Sequence, residues 1–94
     1  MTTPDEFVVH SAEQVLRFTR VDQWDMLSEA RKVQLGFNMG VLALGLGLSK
    51  EDSFVALTDA REGRTSMAAF RKHLQDVIAK SKIVVDQDKL SRPF

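Results

Sequence analysis

The chain has 94 residues, enough for one domain with one modest core. Its 44% hydrophobic and 28% charged residues are those of a folded protein, and the absence of cysteine excludes disulfides and thiolate metal sites. Net charge is zero, but residues 1–30 carry −4 and residues 64–82 carry +4. A chain so divided can complement itself within a fold or between two copies, or offer a basic face to a partner. Self-complementation is the simpler arrangement.

Residues 1–6 read as a flexible lead-in. The start MTTPDEF lacks the basic region and apolar run of a signal peptide, which points to the cytoplasm. Phe7-Val8-Val9 is a short apolar run, and Ser11-Ala-Glu-Gln14 fits a capping box opening a short helix to about Thr19 that buries Val15, Leu16 and Phe18. Thr19 or Asp22 then caps a long helix over about 22–46, with Asp22, Asp25 and Glu29 at the favourable end of its dipole.

The charge-free run Val33–Ser49 dominates that helix. At about 100° per residue it carries two apolar stripes. Val33, Phe37, Val41, Leu44 and Leu48 form the first; Leu35, Met39, Leu42 and Leu46 form the second. Gly36, Gly40, Ala43 and Gly47 make a strip of small residues between them, and Gln34, Asn38 and Gly45 mark a polar or neutral sector. Each glycine costs roughly 1 kcal/mol relative to alanine in an exposed helix, and close approach of another backbone would offset it. Seventeen residues is the short limit for a membrane span, and glutamine, asparagine and glycine dilute this run, so it reads as a core helix.

Ser49-Lys-Glu-Asp52 is a second helix start, leading to a segment that buries Phe54, Val55 and Leu57 and stops at Gly63. Thr65 or Ser66 caps the last helix, whose stripe is Met67, Phe70, Leu74, Val77 and Ile78; it is expected to cover the first stripe of the central helix, leaving the second for another neighbour. The tail carries Ile83-Val84-Val85, which either pairs with residues 7–9 as a two-stranded clip or frays, and residues 86–94 read as flexible.

Neither His10 nor His73 lies in a metal or nucleophile motif. His73 and Asp76, three apart, supply two ligands where a site needs more. No catalytic, cofactor or metal residue is assigned. The basic residues Arg64, Arg71, Lys72, Lys80 and Lys82 could follow a phosphate backbone, with Thr65–Ser81 as the recognition helix of a helix-turn-helix. A pI near 6.7 argues instead for a solvated polar face.

The run Leu48-Ser49-x-x-Asp52, followed by Gly63-x-x-Ser66 and Leu74, resembles the C-terminal half of the small antitoxins that restrain Fic-type AMP-transferase toxins. The resemblance covers about residues 35–75 and implies three helices wrapped around a toxin, with a Ser/Thr-x-x-x-Glu-Gly/Asn motif inhibiting it. The aligned position here holds Leu42-Ala-Leu-Gly-Leu46-Gly47, without the hydroxyl or the glutamate. The pattern occurs instead at Thr58-Asp-Ala-Arg-Glu62-Gly63, which makes Glu62 the residue the resemblance would assign to inhibition.

The sequence thus predicts a single all-α domain, a small bundle of three to five helices around the central apolar helix. Its expected role is that of a non-enzymatic bacterial or phage regulator or adaptor, acting by protein contact as a homodimer. The expected interface is Leu35, Gly36, Met39, Gly40, Leu42 and Leu46. A DNA- or RNA-binding regulator is the alternative; no cofactor and no membrane are expected.

Overall fold

A computed structural model describes residues 4–81 and 83–85. Among the described residues the protein is an all-α bundle of four helices: α1 (Pro4–Phe18), α2 (Glu29–Leu46), α3 (Ala56–Arg61) and α4 (Met67–Ala79). A 3₁₀ turn over Trp24–Met26 precedes α2, and a π-helical turn over Glu51–Val55 runs directly into α3.

The first helix is longer than its sequence suggests. Pro4 suits a first helical position, where the missing N–H costs nothing, and the acidic residues that follow favour a helix N-terminus. Residues 4–6, expected to be flexible, are therefore helical, and so is Phe7-Val8-Val9. Ser11 is not a cap. It lies in mid-helix, 1% exposed, with no hydrogen-bond partner for its Oγ among the described residues. The spacing Val8, Ala12, Val15, Leu16 builds one apolar face through that position, and the face outweighs the local cap signal. Thr19 ends the helix by donating its hydroxyl to the Leu16 carbonyl at 3.0 Å.

The second helix begins seven residues later than expected, at Glu29. Ser28, in extended conformation, accepts from the Arg31 amide at 3.2 Å, while Leu27 beside it is buried and pins the turn. Gly47 closes the helix at φ 66°, where a side chain would be strained, and the Leu48 amide reaches back to the Ala43 carbonyl at 3.0 Å. Gly63, at φ 78°, closes α3 in the same way, with Arg64 donating to the Asp59 carbonyl at 2.8 Å.

Both later start signals act as the sequence predicts. Ser49 Oγ accepts from the Asp52 amide at 3.1 Å, and Ser66 Oγ accepts from the Ala69 amide at 3.0 Å. Met67, Phe70, Leu74 and Ile78 of α4 are buried. Phe54 and Val55, expected inside, are exposed at 67% and 43%; the π turn has an i to i−5 bond from Val55 to Lys50 that departs from the 3.6-residue register behind the expectation. Leu57 is half-buried against the core.

The packing also differs from the expected one. α1 packs chiefly on α2, and α4 packs on α1 and α3 instead of covering a stripe of α2. α1, buried at Val8, Ser11, Ala12, Glu13, Val15, Leu16 and Phe18, is thus enclosed on more sides than α2. Residues 83–85 form no strand with residues 7–9. Ile83 and Val85 pack against the core beside Leu16 and Ile78, around a cavity of about 300 Å³, while Val84 stays exposed. The expectation for residues 86–94 lies outside the described residues. No helix among the described residues is long and apolar enough to cross a membrane.

Candidate interaction surface

Which stripe of α2 faces inward decides what the molecule presents to others. Leu35, Met39 and Leu42, with 0, 2 and 1% exposure, are in the chain's own core, and Leu46 packs against it. The stripe expected to meet another chain is thus filled from within by α1 and its neighbours. The other stripe is split: Val41 and Leu48 are half-buried against the core, while Val33 is 74% exposed, Phe37 60% and Leu44 90%. Full burial of each of these side chains is worth about 1.5–3 kcal/mol, and the fold itself collects only a part of that at such exposures.

The outward face is continuous. Val33, Phe37, Gly40 and Leu44 follow one another at steps of 4, 3 and 4 residues, the spacing of a helix–helix seam. Phe7 of α1 borders it, its ring 6.4 Å from that of Phe37 in an edge-to-face contact at 72°. A Cβ added at Gly36 or Gly40 would meet nothing within 4 Å, so within this chain neither glycine serves a close backbone approach. Gly45 instead makes room for a side chain of α1: a Cβ there would collide with Cγ2 of Val8. The sector read as polar faces α1 at Gly45, and Asn38 within it is buried at 2% exposure.

Among the described residues the basic side chains do not form one cationic face. Arg64 is bound to Asp59 at 2.8 Å and to Glu62, and those two carboxylates raise its pKa, chiefly through the hydrogen bond that Arg64 donates to Asp59. Arg71 is half-buried. Lys72 and Lys80 are exposed, but Asp76 stands between them at i+4 on the same side of α4. Lys82 lies outside the described residues. Glu62, exposed at the end of α3, is held by Arg64.

His73 on α4 meets the π turn, its Nε2 3.5 Å from Asp52 Oδ1 and 3.4 Å from the Asp52 carbonyl. The pair can form an ion pair when the imidazole is protonated. A cavity of about 180 Å³ opens beside it, lined by Glu51, Asp59 and Phe70 among others. His10 lies 3.4 Å from Gln14, one helical turn on. Among the described residues no three histidine or carboxylate side chains are grouped to hold a metal ion.

Val33, Phe37 and Leu44 were legible in the sequence as members of the stripe that also holds Val41 and Leu48, which was expected to be covered by the last helix. α2 is apolar almost all round, so periodicity marks two stripes without ranking them. A firmer signal was Pro4 followed by Asp5-Glu6, which lengthens α1 enough to cover one whole stripe. In comparisons with protein-family models, with curated proteins and with solved structures, nothing matches the chain.

Proposed function

We propose that the protein is a non-enzymatic regulator or adaptor of the cytoplasm that acts by protein–protein contact through the outward face of α2. The observation that carries this reading is the exposure of Val33, Phe37 and Leu44 on one uncharged helix face, bordered by Phe7. A contiguous apolar patch on a folded surface is where partners bind. An antitoxin-like inhibitor would be one form of such a regulator.

The nucleic-acid reading has less support. Arg64 is engaged by two carboxylates, Arg71 is half-buried, and Asp76 interrupts Lys72 and Lys80. Phosphate binding draws on clustered, available cations.

Photo-cross-linking separates the two. A photoreactive residue in place of Leu44 is expected to yield protein adducts in cells of the native host, and one in place of Lys72 to yield none with nucleic acid. Nucleic-acid adducts from position 72, with nothing captured from position 44, would reverse the assignment.

A further inference from the structure

The outward face of α2 has a shape that fits itself. Val33, Phe37, Gly40 and Leu44 take successive seam positions, while Leu35 and Leu42, on the far side of the same helix, are in the core. The seam therefore points away from the bundle along its length. Its sizes alternate: valine, phenylalanine, glycine, leucine. In a parallel pair like would face like, so two Phe37 rings would crowd one layer and two Gly40 residues would leave the next one empty. In an antiparallel pair the order reverses. Phe37 then fills the space over the partner's Gly40, Val33 meets the partner's Leu44, and the two-fold axis repeats both layers.

From this we infer that the partner on the α2 face is a second copy of the chain, docked antiparallel about a two-fold axis between Asn38 and Met39. The inference rests on the contact-surface reading above and names its occupant. Three further observations bear on it. A Cβ at Gly40 meets nothing within the chain, so the notch is open and no internal packing accounts for the glycine there. No charged residue occurs from Val33 to Ser49, so the seam offers no counter-charge to an acidic or basic partner and recognises by shape. An isologous pair also needs only one patch, which complements itself. The seam is about 16 Å long, and it covers less than the about 800 Å² per partner of a standard interface. The dimer is accordingly weak and concentration-dependent.

The test uses the full chain, whose lack of cysteine makes single replacements unambiguous. In sedimentation equilibrium the mass is expected to rise with concentration toward two chains. Gly40→Leu fills the notch that Phe37 enters, and should move association to at least tenfold higher concentration without lowering the melting temperature. Adding Phe37→Ala to it should restore association. In the antiparallel pair, like positions 33 and 33, or 44 and 44, are about 16 Å apart along the axis, beyond the about 7 Å a disulfide spans. An oxidised mixture of Val33→Cys and Leu44→Cys chains should therefore give the mixed disulfide, and each variant alone should not. Ready disulfides from each variant alone would overturn the antiparallel order, and Gly40→Leu associating like the native chain would overturn the notch. A strict monomer would overturn the dimer. If position 44 still captured another protein in cells, the contact-surface reading would outlive it; if not, both would fall together.

Discussion

A methyl group on Gly45 would run into Val8, with Cγ1 at 3.2 Å and Cβ at 3.4 Å as well as the closer Cγ2, whereas one on Gly36 would meet open space. A β-branched side chain has few rotamers to retreat into. Gly45→Ala should therefore lose about 1–3 kcal/mol, outweighing its gain in helix propensity, and Val8→Ala should cost less in that background than in the native chain, because it also relieves the collision. Gly36→Ala should instead gain up to about 1 kcal/mol. In a domain of this size each kcal/mol moves the melting temperature by about 4–8 °C, so calorimetry resolves the two signs. Ser11 makes a second contrast. Its buried Oγ has no partner, so Ser11→Ala should leave stability unchanged or raise it. Ser66→Ala, which removes a working cap, should cost about 1 kcal/mol. A loss at Ser11 equal to that at Ser66 would restore Ser11 as a cap.

At the scale of elements, α4 was the most legible from sequence, because cap, stripe and polar face all agree: Ser66, then Met67, Phe70, Leu74 and Ile78. Ser49 and Gly63 were legible for the same reason, each serving one local role that the fold keeps. The start of α1 was hidden because a strong local motif, Ser11-Ala-Glu-Gln14, fell inside a helix already under way from Pro4. The interior of residues 51–55 was hidden because a π turn follows neither of the usual periods. α2 was legible as a helix but not in its orientation. Two apolar stripes on one helix give two solutions, and only the packing of α1 selects between them. The candidate site was therefore present in the sequence as a set of residues and absent as a surface.

For the whole molecule, the consequence is a bundle that closes its core and leaves an apolar face of α2 unburied. The core draws on all four helices, on Leu27 and on Val85, while the outer face draws on α2 with Phe7 at its border. The proposed regulator and its proposed dimer both depend on this division, with Leu42 inside and Leu44 outside two residues later on the same helix. Denaturant unfolding of Leu42→Ala and Leu44→Ala, at concentrations low enough to keep the chain monomeric, tests it most directly. Leu42→Ala should lose about 2–5 kcal/mol as a buried leucine does, and Leu44→Ala should stay within about 0.5 kcal/mol of the native chain. Comparable losses at both positions, or the larger loss at Leu44, would contradict the inward and outward faces assigned to α2.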